Sequence, residues 1–521
     1  MAILIGENGL TLENFRRIVL LKEPVELAPA VLQKVQFSFE FLSKFNKGKV
    51  IYGINTGFGP MAPYRINQRH QKELQYNLIR SHACGGGPAL SPAECRAVIL
   101  VRLQSLCRGL SGIHPSALEL LKEFLNRDIL PLIYEMGGVG ASGDLVQLAH
   151  LALGMIGEGR CYYKRQVRAI QEALDAEGLQ PMEVHIREGL SIMNGTAVMT
   201  GLGLLNILHL YNQLHISLLA SCLLNEVVRS YTDQFSEELS ATKPHQGQRD
   251  VARFMCKFLR DSRLTRLRPL HLYEKETHGS ILKDKVQEYY SLRCVPQILG
   301  PIWDAARQAE QILLNEACSV NDNPVVIPQA QNVLHGGNFH GDYVAYEMDK
   351  LRIGLTKLGL LAERQLNFLM NPKLNGQFPP FANRGRPGLN FGLQGIQFTA
   401  VSAAAENQTL SNPVSVHSIP NNNDNQDIVS MGTNAALLTR KVIDNNYRIL
   451  AVLLLALVQV CQTPEFLENC ASSSRYWLQY LEQKGFRPFA DDQARHDLLQ
   501  ALENELKEEV LRLQFWSKFD I

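Results

Sequence analysis

The tripeptide Ala141-Ser142-Gly143 has the residue types needed to make an electrophile from the polypeptide chain itself. It lies in the glycine-rich segment GGVGASGDL (137–145). If the backbone bends so that the Gly143 nitrogen meets the Ala141 carbonyl carbon, a five-membered ring can close, because glycine has no Cβ to obstruct the approach. Loss of water from that adduct and loss of the Ser142 hydroxyl then leave an imidazolone with an exocyclic methylene. The segment therefore predicts a strong electrophile made from protein alone.

The same glycines also fit other kinds of site. Gly138, Gly140 and Gly143 satisfy the G-x-G-x-x-G pattern of dinucleotide binding, but a single match is weak and the chain shows no alternation of strands and helices. A nicotinamide enzyme is the alternative that this pattern leaves open. Ser142 does not form a nucleophile elbow, because G-x-S-x-G requires glycine where Asp144 stands. The turn is also expected to cap a helix over 145–157, with Asp144 or Ser142 as its N-cap.

Long helices are expected after Asn194 to position these residues. Four segments without proline span about five to eight helical turns each. They are 204–224, 303–320, 343–370 and 433–462. Their apolar residues cover more than one face, which is typical of a helix buried in a bundle or between subunits. A long loop or lid is expected over 371–395 and an amphipathic terminal helix over 498–513.

The expected fold class is therefore mainly α, with a long central helix bundle. The N-terminal part, residues 1–200, carries the glycine-rich loops. Residues 201–521 form the bundle and the C-terminal helices, and the two parts make one unit overall. A purely helical scaffold without chemistry is the alternative that the bundle alone would support.

Composition favours a small-molecule protein. The 521 residues include 52 Lys+Arg and 51 Asp+Glu, so a net charge of +1 gives no electrostatic reason to expect nucleic acid or a membrane surface as a partner. The ten cysteines form no C-x-x-C pair, and His335 and His340 lack further ligands, so no metal site is predicted. The start MAILIGENGL lacks the basic region of a signal peptide, and the most apolar run, 449–458, is too short to cross a bilayer. A cytoplasmic location is expected.

A series of motifs connects the tripeptide to most of the chain. They are YGINTGFGP, SHACGGG, GGVGASGDL, SIMNGT, VQEYYSLRCVPQ, NDNPV, HGGNFHGD, AAENQ and NNDNQDIVSMGT. With these motifs the chain resembles the aromatic amino acid ammonia-lyase and aminomutase family, which uses the 4-methylideneimidazole-5-one (MIO) group made from Ala-Ser-Gly. The resemblance implies the histidine/phenylalanine ammonia-lyase fold, in which a smaller mixed α/β N-terminal part carries the MIO loop beside the helix bundle. It further implies a homotetramer with sites assembled from several subunits. It also implies that MIO forms autocatalytically from residues 141–143, with no external cofactor.

The resemblance assigns a base to face the electrophile. Removing ammonia from an α-amino acid requires taking a weakly acidic β-proton while the amine becomes a leaving group. Tyr52 matches the family's catalytic base, and Gly59 of the same motif matches a substrate-binding position. A tyrosine hydroxyl has an ordinary pKa of about 10, so such a base needs nearby donors or positive potential. Asn194 matches the residue that hydrogen-bonds the carbonyl oxygen of the electrophile.

Further site residues follow from the same motifs. Phe339 matches the ring that packs beside the electrophile, and Glu406 matches an acid that handles the amine proton. Asn425 and Gln426 match residues near the base and the carboxylate end of the substrate.

A carboxylate-binding helix is expected in VQEYYSLR. Gln287, Tyr290 and Arg293 recur at three-residue steps, which puts them on one face of a helix. The resemblance implies that Arg293 grips the substrate carboxylate with its forked guanidinium, that Tyr290 is catalytic and that Gln287 contacts substrate.

Substrate choice depends on the pair Ser81-His82, at the family's selectivity position. Histidine ammonia-lyases carry Ser-His there, but tyrosine aminomutases and some bacterial tyrosine ammonia-lyases do too, and imidazole can pair with a phenol hydroxyl. The segment 425–432 reads NQDIVSMG, as in phenylalanine and tyrosine enzymes, whereas histidine enzymes typically read Q-E-D before H-V-S-M-G. The sequence therefore favours a tyrosine ammonia-lyase that converts L-tyrosine to trans-p-coumarate and ammonia. Histidine ammonia-lyase, which gives urocanate, is the second hypothesis, and tyrosine 2,3-aminomutase is the third.

Overall fold

The computed structural model describes residues 2–6, 9–273, 280–282 and 285–512. Within these ranges the chain is mainly helical, which confirms the predicted fold class. The α-helices are α1 (Leu12–Val19), α2 (Pro29–Phe45), α3 (Gln71–His82), α4 (Pro92–Leu106), α5 (Pro115–Asn126), α6 (Leu145–Met155), α7 (Ile170–Glu177), α8 (Glu188–Met193), α9 (Ala197–Val227), α10 (Glu237–Ala241), α11 (Gln246–Phe258), α12 (Tyr290–Arg293), α13 (Val295–Ala317), α14 (Asp342–Met370), α15 (Pro372–Asn375), α16 (Gln394–Leu410), α17 (Gly432–Cys461), α18 (Pro464–Asn469), α19 (Ser472–Gln483) and α20 (His496–Arg512).

The strands are short, with two to four residues each. They are β1 (Ile3–Ile5), β2 (Val25–Leu27), β3 (Gly86–Ala89), β4 (Leu130–Pro131), β5 (Tyr134–Met136), β6 (Arg160–Tyr163), β7 (Gln166–Ala169), β8 (Val325–Ile327) and β9 (Asn332–Leu334). β1 and β2 pair in parallel, whereas β3–β5, β4–β6–β7 and β8–β9 are antiparallel. β1 to β7 precede residue 200, in the part predicted to be mixed α/β.

The chain forms two compact units, each built from three segments. The first unit comprises Met1–Leu208, Ala309–Lys350 and Pro413–Thr439. The second comprises His209–Gln308, Leu351–Asn412 and Arg440–Ile521. These units differ from the predicted division near residue 200 in that the first one also takes in two later segments. One of those segments carries Phe339, and the other carries Asn425 and Gln426.

The first unit has a helical core that holds its glycine-rich loops. Helix α4 begins with a capping box in which Ser91 and Glu94 each bond the other's backbone N–H, and thirteen of its fifteen residues are buried. Helices α3, α6 and α8 pack against one another. His82 is the last residue of α3, the tripeptide 141–143 lies just before α6, and Asn194 directly follows α8, so this packing brings the predicted motifs to one region of the unit.

Four long helices correspond to the predicted apolar segments, namely α9, α13, α14 and α17, although α13 ends at Ala317 and α17 at Cys461, before the predicted ends at 320 and 462. α13 begins at Val295 and includes Pro301, whereas the prediction began only after this proline because proline removes an amide donor. The buried Leu299 and Ile302 hold the proline-containing turns in the core. α9 and α17 are long and apolar enough to span a membrane, but 89% of the apolar window in each is buried in the protein, as in a core helix.

The predicted terminal helix and the predicted long loop can also be compared with the structure. Helix α20 confirms the terminal helix, although Leu513, the last residue of the predicted 498–513, lies outside the described residues. The predicted loop 371–395 contains the short helix α15 and a turn over Pro380–Ala382 in which Phe381 and Ala382 have positive φ, and α16 begins at Gln394, before the predicted end of the loop.

Buried amides join helices within the second unit. Asn407 on α16 donates to the Asn446 side-chain oxygen at 2.9 Å, and Asn445 donates to the Asn407 side-chain oxygen at 3.0 Å. Asn446 in turn donates to the Leu355 carbonyl of α14 at 2.8 Å. Because buried amides without partners are costly, this network fixes the register of the three helices and the position of Glu406, which precedes Asn407.

Candidate active site

The tripeptide 141–143 lies in the loop between β5 and α6, with Ala141 buried. Gly143 has φ +75°, a backbone conformation that favours glycine. A Cβ at this position would lie 2.0 Å from the Gly195 carbonyl oxygen. The backbone of 143 is therefore pressed against the chain at 195, and the site accepts only glycine there.

Ser142 is held through both of its oxygen atoms. The Asn194 side-chain amide donates to the Ser142 carbonyl at 2.7 Å, and the Gln426 side-chain amide donates to the Ser142 hydroxyl at 2.7 Å. Asn194 is oriented in turn, because its side-chain oxygen accepts from the Asn323 backbone N–H at 2.7 Å. Two amide donors thus converge on the residue whose carbonyl would become the ring carbonyl and whose hydroxyl would leave.

A turn over 421–426 connects this serine to the Tyr52 loop. Asn421 and Gln426 form a β-bridge, and the residues between them include Asn422, Asn423 and Asp424 with φ of 55°, 52° and 59°. Asn and Asp tolerate this left-handed region better than other non-glycine residues, which explains the NNND sequence. Gln426 at the end of the turn reaches Ser142.

The start of the same turn lies against the loop of Tyr52. The Asn422 amide is so near Gly59 that a Cβ there would lie 2.7 Å from Nδ2. The Gly59 backbone N–H donates to the Tyr52 hydroxyl oxygen at 3.0 Å, and the Phe58 ring meets the Tyr52 ring edge-on at 6.1 Å between centroids. One six-residue turn therefore contacts both the loop of the predicted base and the predicted electrophile precursor.

Helix α3 positions the Tyr52 loop from the other side. Its buried Gln75 donates to the Gly53 carbonyl at 3.0 Å and accepts from the Leu190 backbone N–H of α8 at 3.0 Å. The same helix ends at His82, so the loop of the base, the helix before Asn194 and the selectivity residue share one support.

The His82 side chain has a defined hydrogen-bond pattern. Its Nδ1 lies 3.0 Å from the Leu78 carbonyl oxygen and 3.0 Å from the Ser81 hydroxyl. Because a carbonyl oxygen can only accept, Nδ1 carries the proton, and in the neutral ring Nε2 is then an acceptor. The half-buried His82 can therefore accept a hydrogen bond from a hydroxyl or N–H group.

Asp144 is the N-cap residue of α6, as predicted, but its side chain makes no cap hydrogen bond there. Its carboxylate accepts from the backbone N–H groups of Val198 and Met199 at 2.9 and 3.0 Å, at the start of α9, and from the Thr433 hydroxyl. The first backbone N–H groups of the 31-residue helix α9 have no partners within the helix, so they bind the carboxylate. The negative charge also interacts favourably with the positive N-terminal end of the dipole of α9. Burial raises the pKa of Asp144 to about 6.

Two predicted site residues of the first unit, Phe339 and Asn425, are less buried than the tripeptide. Phe339 is half-buried in the turn that leads to α14, beside His340, whose Nε2 is 3.4 Å from the Ile428 carbonyl. Asn425 is exposed, and its backbone N–H donates to the Asn422 carbonyl at 3.2 Å. Among the described contacts, Asn422 lies against the Tyr52 loop, although it was not a predicted site residue.

The predicted carboxylate-binding face lies in the second unit and is shorter than expected. α12 starts at Tyr290 after an extended Tyr289 with φ −61° and ψ 157°, so Gln287 precedes the helix and does not share its face. The buried Glu288, bound by Lys285 at 2.5 Å, anchors the chain before this start. The expectation of one helical face for all three residues is therefore wrong for Gln287.

Arg293 and Tyr290 do lie together. The guanidinium carbon of Arg293 is 4.8 Å from the centroid of the Tyr290 ring, a cation–π contact that orients the fork. The Arg293 Nε is buried and has no hydrogen-bond partner within the described parts of the chain. A buried donor of this kind needs a partner, and a carboxylate would satisfy it.

Glu406 lies on α16 in the second unit. Asn445 donates to its carboxylate at 2.6 Å, and the Lys441 ammonium is 3.9 Å away. The residue lines a cavity of about 890 Å³ with Phe398 and Arg448. Its carboxylate is oriented and exposed, as an acid that meets a ligand must be.

Sequence reasoning missed residues that hold the tripeptide loop from outside its motif. The Ser430 hydroxyl donates to the Gly140 carbonyl at 3.1 Å, and the Met431 backbone N–H donates to the Val139 carbonyl at 3.0 Å. Ser430 and Met431 lie inside the segment NQDIVSMG (425–432), so this motif contained the signal. Gln75 gave no such signal, because nothing near it in sequence suggests a site.

Comparison with known proteins agrees with this geometry. The family model for aromatic amino acid lyases matches residues 10–478. A tyrosine 2,3-aminomutase from Chondromyces crocatus is 40% identical over 456 residues, 86% of each chain, and a histidine ammonia-lyase from Bacillus cytotoxicus is 36% identical over 477 residues, 91% of this chain and 92% of the relative. The crystal structure of a tyrosine aminomutase from Streptomyces globisporus has a TM-score of 0.93 and 35% identity over 98% of each chain. The chain therefore belongs to the aromatic amino acid lyase family, which includes ammonia-lyases and aminomutases.

Proposed function

We propose that this protein is an MIO-dependent ammonia-lyase that converts L-tyrosine to trans-p-coumarate and ammonia. The observation that carries the proposal is the pair of amide donors on Ser142, with Asn194 on its carbonyl and Gln426 on its hydroxyl. The proposal includes a homotetramer in the cytoplasm, as expected from the sequence.

The residues around the tripeptide fit the MIO group. Asn194 already binds the carbonyl that would belong to the ring, and Gln426 already donates to the hydroxyl that must depart. Glycine at 143 is required by the close approach of the Gly195 carbonyl. When formed, the group supplies an electron-poor methylene that accepts the substrate amine.

The side chains of this chain supply the remaining functions. Tyr52 takes the β-proton, and the Gly59 N–H at 3.0 Å suits an oxygen that carries negative charge. Asn194 is a preorganised donor for negative charge on the carbonyl oxygen it binds. Arg293 binds the substrate carboxylate through a buried Nε that lacks another partner among the described residues. Glu406 handles the amine proton.

His82 supports tyrosine as the substrate. Its Nε2 is an acceptor in the neutral ring, so the phenol hydroxyl of tyrosine has a partner there. L-Phenylalanine would leave that nitrogen unpaired, at a cost of about 1–3 kcal/mol. Relatives named for tyrosine, at 40% identity, agree with this assignment.

Two other functions have specific support. The 40% identity to tyrosine 2,3-aminomutases supports an enzyme that returns the amine to the β-carbon of the same substrate. The Ser81-His82 pair and 36% identity to histidine ammonia-lyases support L-histidine. A substrate imidazole N–H could donate to His82 Nε2 as a phenol does.

One set of assays separates these functions. The purified protein is incubated with L-tyrosine, L-histidine or L-phenylalanine, and p-coumarate, urocanate, cinnamate and β-tyrosine are quantified over time. We expect p-coumarate to form fastest, with β-tyrosine a minor early product. A higher rate on L-histidine, or β-tyrosine as the main early product, would replace the proposal by one of the alternatives. The Ser142→Ala variant is the blank for chemistry that does not need the tripeptide.

A further inference from the structure

Arg102 is a fully buried arginine that the proposed mechanism does not use. It lies on α4, and its guanidinium donates to the Ser191 carbonyl and, at 3.0 Å, to the Asn321 side-chain oxygen. Both of these acceptors are neutral. Burial lowers the pKa of Arg102 to about 10, so the group stays charged at neutral pH. A buried charge is costly unless it is paired and hydrogen-bonded, and the carboxylates of Asp322 and Asp144 also stabilise the charge of Arg102.

Arg102 and Asn321 lie against Gly195, whose carbonyl contacts the tripeptide at Gly143. A Cβ at Gly195 would lie 2.5 Å from the Arg102 Nη1 and 2.5 Å from the Asn321 side-chain oxygen. On its other side, the Gly195 carbonyl accepts the Asp144 N–H at 2.8 Å and would lie 2.0 Å from a Cβ at Gly143. The Gly195 peptide is therefore enclosed between the guanidinium and the tripeptide.

The segment 194–196 is fixed along its whole length by the same cluster. The Asn321 amide donates to the Thr196 hydroxyl at 2.9 Å, and the Asn323 backbone N–H donates to the Asn194 side chain at 2.7 Å. The Ser191 carbonyl bound by Arg102 belongs to the last turn of α8, which leads into this segment. Arg102 thus bonds the helix before Asn194 and packs against the Gly195 peptide after it.

We propose that Arg102, together with Asn321, is a positioning residue for the maturation of the tripeptide. It keeps residues 194–196 against 141–143, so that the Gly143 nitrogen stays near the Ala141 carbonyl carbon. The inference rests on the proposed function, because it concerns formation of the MIO group.

The step that Arg102 assists needs no external reactant. The Gly143 nitrogen bonds to the Ala141 carbonyl carbon, and its proton moves to the Ala141 oxygen. That oxygen leaves as water with the Ser142 amide proton, which leaves a C=N bond. A second water forms from the Ser142 hydroxyl and its α-proton, which leaves the methylene. Without the Arg102 side chain the Gly195 peptide can move away from the tripeptide. A misplacement of about 1 Å lowers the rate of such a ring closure about 100-fold.

Arg96 provides a matched control on the same helix. It is 2% exposed, and it also binds main-chain carbonyls, those of Leu125 and Ile18, both at 2.8 Å. It differs from Arg102 in one further contact, an ion pair with the partly exposed Asp128 at 3.0 Å. Arg96→Gln therefore removes a comparable buried guanidinium that has no contact with 194–196. Arg102→Gln is the test variant. Asn321→Leu is a second test variant, which removes the hydrogen bonds of the Asn321 side chain to Arg102 and Thr196 while leaving Arg102 in place.

The experiment measures the intact mass of each variant at equal times after synthesis, together with its melting temperature. Maturation removes two waters, a deficit of about 36 Da. We expect the fraction of Arg102→Gln and Asn321→Leu chains with this deficit to be about tenfold or more below that of Arg96→Gln, at similar melting temperatures.

The outcomes separate the inference from the proposed function. If Arg102→Gln does not fold, Asn321→Leu alone decides. Maturation of the test variants at the rate of Arg96→Gln, with a normal deficit in the unmodified sequence, overturns only the role of Arg102. Absence of the deficit from the unmodified sequence overturns the proposed function itself.

Discussion

Ser142 illustrates what individual residues contribute to the site. Its type and its neighbours predict ring closure from the sequence alone, and Asn194 was assigned to the carbonyl by resemblance. The donor on its hydroxyl, Gln426, is 284 positions away, and no local pattern joins the two residues. Asn422 was overlooked for the same reason, since its contact with Gly59 exists only in the folded turn.

His82 should determine the preference for a hydroxylated ring. Replacing it with leucine removes the Nε2 acceptor, so the ratio of kcat/KM for L-tyrosine to that for L-phenylalanine should fall about 5- to 150-fold, equivalent to about 1–3 kcal/mol. Ser81→Ala is the control, because it keeps the contact of His82 with the Leu78 carbonyl. An unchanged ratio in His82→Leu would show that the ring is recognised elsewhere.

Tyr52 should act in the reaction and not in maturation. Tyr52→Phe is expected to lower kcat on L-tyrosine by about 10²- to 10⁴-fold, the usual contribution of a general base, while the 36 Da deficit persists. The exposed Tyr64, changed to Phe, controls for loss of a nearby tyrosine hydroxyl. A kcat within a few-fold of the unmodified enzyme would exclude Tyr52 as the base.

The elements were predictable to different degrees. Apolar patterns predicted the long helices, since burial on several faces leaves a clear sequence signal. The three-residue spacing of Gln287, Tyr290 and Arg293 predicted a helix that begins too early, because the extended Tyr289 and the buried Glu288 stop it. Asp144 was assigned to its own helix because a local cap is what the sequence shows, whereas its real partners belong to α9.

The carboxylate of Asp144 should give the fold a measurable pH dependence. Burial raises its pKa to about 6 from 3.8, so its protonation favours the folded chain. This contribution is complete below about pH 3.8 and is lost as pH rises through 6. Relative to an Asp144→Asn variant, the protein with the unmodified residue should lose about 2 kcal/mol of unfolding free energy between pH 4 and pH 7.

The comparison is made in the Ser142→Ala background, where maturation cannot contribute to stability. Denaturant midpoints are measured for both proteins across this pH range, and the exposed Asp175, changed to Asn, controls for loss of a charge as such. A gap that stays constant with pH, or that changes in favour of the aspartate, would contradict the effect of burial.

The whole molecule combines a predictable helical core with a site that no single segment contains. The length and apolar pattern of four segments were enough to predict a mainly α protein with a long helix bundle. The first unit, however, is built from three stretches of chain, and the residues that hold Ser142 come from all three: Asn194, the Asn323 that orients it, and Gln426. Contacts between such distant stretches depend on the complete fold, so their existence could be expected only from the family's motifs.

The intact mass of freshly purified, active protein tests the central claim most directly. We expect a deficit of about 36 Da from the mass of the linear chain, confined by peptide mapping to the fragment that contains residues 141–143 and absent from Ser142→Ala. Active protein with the full linear mass would contradict the account.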